Sequence, residues 1–175
     1  MSPGTVEAYL HEHIPLSADM GVRVLEADSA HVLLEAPLEP NLNHRATAFG
    51  GSVAALGILA GWTLVHLRLR EEGHEAQAVI QESSVRYDRP IQGPFRALSG
   101  PIDDPAWRRF TSALTRFGKA RIEIAGTILA PGIEGTAAPV SSPTATRAAA
   151  AELAAAAELA SAARCTGSYV AVSRG

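Results

Sequence analysis

Between Gly50 and Leu69 the chain runs G-G-S-V-A-A-L-G-I-L-A-G-W-T-L-V-H-L-R-L, with hardly a charge in it. A helix that is apolar on nearly every face has to be covered on nearly every face. Lipid and protein are the two possible coverings. The stretch Val53 to Leu69 includes His66 and Arg68 and falls short of the ~20 apolar residues that a membrane span needs. The expected covering is therefore the protein's own sheet, and the segment is a buried core helix. In front of it stand short polar side chains and a glycine pair, Asn41 to Ser52, reading N-L-N-H-R-A-T-A-F-G-G-S. The first turn of a helix leaves backbone N–H groups without intrahelical partners, and the helix dipole adds about half a positive charge there. Gly50 and Gly51 have no side chains to shield those groups, so a ligand oxygen is expected to approach them closely.

The flanking segments supply the covering. Thr5 to His13 reads as a short amphipathic helix closed by Pro15; its H-E-H at positions 11 to 13 puts two histidines at i and i+2, on different sides of a helix, a poor metal pair. Gly21 to Ala27 and His31 to Pro37 alternate as antiparallel strands across an Asp28-Ser29-Ala30 turn, and Glu39 to Thr47 is a loop. The long helix is expected to stop near Glu71-Glu72-Gly73. Gln77 to Tyr87 follows as a strand, expected in the middle of the sheet, with Val79, Gln81, Ser83, Val85 and Tyr87 on one face and Ile80, Glu82, Ser84 and Arg86 on the other. Its polar residues need partners, so Gln81, Glu82 and Ser83 are candidates either for lining a pocket or for a ladder at a dimer interface. Phe95 to Gly100 is a strand, Pro101 to Pro105 a turn, Asp104 to Phe117 an amphipathic helix and Lys119 to Leu129 a long strand. Pro131 to Thr146 is a Pro/Ser/Thr-rich loop and Arg147 to Ala157 an Ala-rich helix, together an insertion of about 131–157. Leu159 to Val172 is the final strand, unless the helix runs on to about Ala163. The pattern is α+β, one domain of 175 residues in which an antiparallel sheet wraps a central helix.

Composition narrows the function. A formal net charge of -3 removes the electrostatic case for nucleic-acid binding. A single cysteine, Cys165, excludes an intramolecular disulfide and a Cys-rich zinc site. With no signal-peptide pattern at the N-terminus, the expected location is the cytoplasm, away from membranes.

The pattern N-x-N-H-R-x-T-x-F-G-G-S, followed by an apolar helix with Gly61 and Trp62 and a strand with V-R-Y-x-R-P-I from Val85 to Ile91, resembles a bacterial hot-dog domain family. Its members stand alone or behind an acetyltransferase domain, are associated with thioester hydrolysis, and include malonyl-acyl carrier protein decarboxylases. The resemblance spans Leu10 to Ala130 and returns at Tyr169 to Val172. It implies a hot-dog fold, a homodimer joined edge to edge with sites at the interface, and a substrate carried on acyl carrier protein or coenzyme A. No separate cofactor is implied, since phosphopantetheine arrives with the substrate. The catalytic-loop asparagine of the resembling decarboxylases falls at Asn43, and an acidic residue often stands at the position of Glu82.

Three chemistries compete. Thioester hydrolysis needs a base or nucleophile, and the central helix from Ser52 to Leu67 contains no Asp or Glu, so Glu82 is the nearest acidic candidate. Decarboxylation of a malonyl thioester needs chiefly a set of donors for the enolate oxygen, which the Asn43 amide and the backbone N–H of Gly51 are expected to supply. A non-catalytic acyl-thioester binding dimer is the third possibility. Around this centre His44, Arg45, Thr47, Phe49, Gly50 and Ser52 are candidate substrate contacts, Arg45 for orientation or phosphopantetheine and Thr47 as a donor or a helix cap. Arg108, Arg109, Arg116, Lys119 and Arg121 form a basic segment suited to an acidic carrier or to coenzyme A phosphates, or simply a solvated surface. The absent helix carboxylate puts decarboxylation ahead of hydrolysis.

Overall fold

The computed structural model describes residues 1–131 and 159–173. Its axis is α3, Gly50–Glu71, whose Leu56, Ala60, Leu64 and Val65 are wholly buried. Among the described residues it is the one helix long and apolar enough to cross a membrane, yet most of it is covered by protein. The covering is a six-stranded antiparallel sheet in the order β1-β2-β4-β5-β6-β3, made of β1 Arg23–Ala27, β2 Val32–Ala36, β3 Ala76–Tyr87, β4 Phe95–Ser99, β5 Lys119–Pro131 and β6 Leu159–Ser173. Helix α1, Pro3–His13, is capped by the Ser2 hydroxyl and packs Val6 and Leu10 into the same core. A short helix α2, Pro15–Asp19, follows where the sequence suggested only a stop. Helix α4, Asp104–Phe117, starts at the Asp103 cap and buries Trp107, Phe110 and Leu114. The final segment is strand from Leu159 onward, so the helical alternative to Ala163 does not occur. The expected insertion lies outside the described residues, apart from Pro131 at the end of β5.

β3 departs most from the sequence reading. Among the described residues it is an edge strand, paired only with β6, and not a central one. Its polar residues are tolerated because solvent reaches both faces from Val79 to Ser84. A bulge between Ile80 and Glu82 also breaks the expected alternation. Ala78, paired close to the bulge, and then Ser83, Val85 and Tyr87 turn toward α3, whereas Glu82 and Ser84 point away.

Candidate functional site

The loop from Leu38 to Phe49 delivers the chain to the start of α3, and two asparagines shape it. Asn41 is buried, and its side-chain Nδ2 donates to the carbonyls of Met20 at 2.9 Å and Pro37 at 2.8 Å, while its backbone carbonyl accepts from the Phe49 N–H at 2.7 Å. Asn43 closes the tip. Its Oδ1 accepts from the N–H of Arg45 at 2.8 Å and of Thr47 at 3.3 Å. Its Nδ2 donates to Thr47 Oγ1 at 2.9 Å and to the Ala48 carbonyl at 3.2 Å. Ala46 takes a left-handed φ of 56° to complete the turn. The Ala48 N–H donates to the Ile91 carbonyl at 2.8 Å, which ties the loop to the segment after β3.

Beyond the loop, the first intrahelical bond of α3 runs from the Val53 N–H to the Phe49 carbonyl at 3.1 Å. The N–H groups of Gly50, Gly51 and Ser52 precede it, no side chain caps them, and the first turn holds no acidic residue. The Phe49 ring lies against Gly51, so close that a Cβ there would overlap it. Tyr87 reaches across from β3 and donates to the Gly50 carbonyl at 2.8 Å. Leu42, Phe49 and Tyr87 are all about half exposed and give these amides an apolar rim. Aligned amides in such a setting favour a partial negative charge on a bound oxygen.

The structure thus gathers Asn43, Thr47, Phe49, Gly50, Gly51 and Ser52 at one place. His44 and Arg45 sit exposed at the loop tip. Thr47 does not cap the helix: the N-cap residue is Phe49, and the Thr47 hydroxyl instead accepts from Asn43. Asn43 itself has both amide hydrogens engaged within the loop. Glu82 is not brought to the helix start; its cross-strand neighbour is Ser168, and beyond that Glu123, on the face away from α3. Gln81 is the extra residue of the bulge. Ser83 faces α3 and, with Gly57, Gly61, Cys165 and Tyr169, lines a water-sized cavity of about 10 Å³. Burial there pushes the Cys165 thiol up to about 11. Sequence reasoning missed Tyr87 and the anchoring role of Asn41; their only signal was that both fall within the quoted motifs.

His11 and His13 are also occupied locally. His11 Nε2 lies 2.8 Å from the Val22 carbonyl, and His13 Nδ1 lies 3.0 Å from the Tyr9 carbonyl with its ring stacked on Tyr9.

Comparison with known proteins fits this fold. A protein of unknown function from Chlorobaculum tepidum superposes with a TM-score of 0.78 at 27% identity, over 99% of this chain and 98% of that one. A protein from Shewanella oneidensis, named a "putative thioesterase", gives 0.71 at 22% identity over 97% and 96% of the two chains. A thioesterase from Haemophilus influenzae gives 0.67 at 10% identity over 99% and 92%, a likeness of fold alone. A family model described as "Putative thioesterase (yiiD_Cterm)" matches residues 4–138. With that match spanning most of the chain and a central helix wrapped by an antiparallel sheet, the protein belongs to this family of hot-dog proteins.

Proposed function

We propose that the protein acts on short acyl thioesters and that its reaction is the decarboxylation of a malonyl thioester to an acetyl thioester. One observation carries the reading: three uncapped amides stand at the start of α3, whose first turn holds no acidic residue. When the bond between the α-carbon and the carboxylate breaks, its electron pair moves onto the thioester oxygen, carbon dioxide leaves, and a proton from solvent completes the acetyl group. The developing charge needs donors and no base. One well-placed donor in comparable oxyanion holes is worth about 2.7–4 kcal/mol. The amides of Gly50, Gly51 and Ser52 are those donors, and Asn43 holds the loop that leaves them open. The Asn43 bond to Ala48 at 3.2 Å is the longer of its two donations, and it is the one a substrate oxygen displaces. Arg45 and His44, at the tip, orient the carboxylate or the phosphopantetheine arm.

The acting species in this proposal is a cytoplasmic homodimer joined through β3. That strand's outer edge is open, and Val79, Ile80 and Tyr87 are exposed along it, which is costly for a monomer. Hydrolysis is the second reading, favoured by the family's description as thioesterases. It requires a base, and the first turn of α3 holds no acidic residue, so in this reading a second copy brings Glu82 or another group to the thioester.

Mass spectrometry of malonyl- and acetyl-loaded acyl carrier protein, and of malonyl-coenzyme A, after incubation with the purified protein separates these. Conversion of malonyl to acetyl carrier, lost in Asn43→Ala and retained in Glu82→Gln, is the expected result. Free thiol appearing without an acetyl intermediate, and abolished by Glu82→Gln, establishes hydrolysis instead. Bound thioester that is never turned over marks a binding module.

A further inference from the structure

β5 pairs with β6 along its whole length, but β4 pairs only with its later part, from Gly126 to Leu129. Among the described residues no strand lies beside the other edge of β5 from Lys119 to Ala125, and α4 packs close to β5. A strand edge of this kind leaves backbone N–H and C=O groups free at alternate residues. Between that edge and α4 runs a groove of about 400 Å³, lined by Arg109, Phe110 and Ala113 of the helix and by Arg121, Ile122 and Glu123 of the strand. Its size falls in the range of small-molecule sites. Phe110 and Ile122 are buried and form an apolar floor. Arg109 and Arg121 are exposed, and neither makes an ion pair or hydrogen bond among the described residues.

We propose that this groove binds the 3′-phosphorylated adenosine diphosphate end of a coenzyme A thioester. An apolar floor beside a free strand edge suits a planar base, whose polar rim then meets backbone N–H and C=O groups. The two guanidiniums suit phosphates, which they can grip through paired N–H donors. Glu123, at the rim, accepts from the ribose hydroxyl or the exocyclic amine and keeps the anion at the arginine side. A concave, floored slot fits this ligand better than the convex surface of an acidic carrier protein. The inference rests on the thioester-acting reading, and it selects coenzyme A over the carrier.

The position of the groove fits a dimer. α4 is fastened to the C-terminal end of α3, where Arg68 donates to Asp104 at 2.8 Å and stacks on Trp107. Gly50 is the other end of a helix about 33 Å long, so the groove is remote from its own amides. Across the sheet, Arg121 pairs with Val170 and Val170 with Val79, while Lys119 pairs with Val172 and Val172 with Gln77. The groove is therefore on the side of the Gln77 end of β3, and Gly50 is beside the Tyr87 end. In a two-fold pairing the β3 strands run antiparallel, and each Gln77 end meets the Tyr87 end of the other copy. The groove of one copy and the Gly50 end of α3 of the other then lie toward the same end of the paired strands.

Calorimetric titration with adenosine 3′,5′-bisphosphate, which has neither arm nor acyl group, tests the groove apart from the reaction. The wild type binds it, Arg109→Ala/Arg121→Ala binds at least about tenfold more weakly, and the exposed control Arg23→Ala binds as the wild type does. In steady-state assays the double variant raises KM for malonyl-coenzyme A and leaves turnover of malonyl-pantetheine unchanged. Wild-type protein that ignores the bisphosphate, or a double variant that binds it equally well, overturns the assignment. Bisphosphate binding without turnover of any thioester would leave the groove standing and remove the catalytic reading. Turnover of carrier thioesters without bisphosphate binding would do the reverse.

Discussion

Tyr87, on the open edge of β3, donates its phenolic hydrogen to the carbonyl of Gly50, the first residue of α3. A Cβ on Gly50 would stand 3.4 Å from that phenolic oxygen, so strand and helix start are in direct contact. This contact sets how the free amides are presented, and it lies on the edge through which a second copy is proposed to dock.

Tyr87→Phe keeps the ring and removes the bond. Stability should fall by about 0.5–1.5 kcal/mol, the ordinary net worth of one hydrogen bond. Turnover should fall further than that loss explains, because the first turn of α3 is freed to shift. Urea unfolding measured beside malonyl-thioester turnover checks both, and unchanged turnover would remove Tyr87 from the site.

Gly57 and Gly126 share one task, since a Cβ added at either would stand 2.8 Å from the sulfur of Cys165. Gly57→Ala gains about 0.8–1 kcal/mol of helix propensity but overpacks a buried contact, at a cost of about 1–3 kcal/mol. The net effect should be destabilising. Adding Cys165→Ala should restore most of the loss, which a double-mutant cycle reads directly. Simple additivity of the two changes would show that the sulfur is not the obstacle.

Arg89 holds together the ends of two strands. Its guanidinium donates to the carbonyls of Ala130 at 2.7 Å, Pro131 at 2.8 Å, Ala160 at 3.0 Å and Ser161 at 3.3 Å. Removing it leaves several carbonyls without a donor, so Arg89→Met should cost about 2–4 kcal/mol. Arg89→Lys should recover part of this, because an ammonium cannot reproduce the planar fork. Because Ile91, two residues on, accepts from the Ala48 N–H, looser loop geometry and lower turnover should accompany the loss. Equal denaturation midpoints for Arg89→Met and wild type would contradict the clamp.

The Arg68 hydrogen bond holds the Asp104 carboxyl below its ordinary value of 3.8, with the Arg68 charge adding to the effect. A carboxyl whose folded-state pKa is depressed contributes stability above the unfolded value and loses it as pH falls through the folded one. The gap in urea midpoint between wild type and Asp104→Asn should therefore be present at neutral pH and close below that value. A gap that persisted in acid would assign the effect to packing at the start of α4.

The local order of the fold was legible wherever one periodicity held. Gly50 to Leu69 announced a covered helix, Asp104 to Phe117 an amphipathic one, and Lys119 to Leu129 alternated cleanly. β3 misled because polar residues on alternate positions read the same in a ladder of satisfied groups as on an open edge. The bulge at Gln81 then put Ala78 on the same face as Ser83, Val85 and Tyr87, a one-residue shift that composition does not encode, while Glu82 stays opposite them. Asn43 was found by its motif, but which of its own loop's groups would occupy its amide depended on the turn that Ala46 completes.

By itself the sequence determined that a helix apolar all round must be wrapped by the chain around it, and that its glycine-led first turn must leave amides open. Both follow from local covalent geometry and burial, which neighbours along the chain largely settle. Only the tertiary structure decided which strand is left at the edge, that Tyr87 meets Gly50, and that β4 stops short of Lys119–Ala125 and leaves a groove beside α4. Those are contacts between residues far apart in sequence, fixed by strand order and register, and no local pattern carries that information.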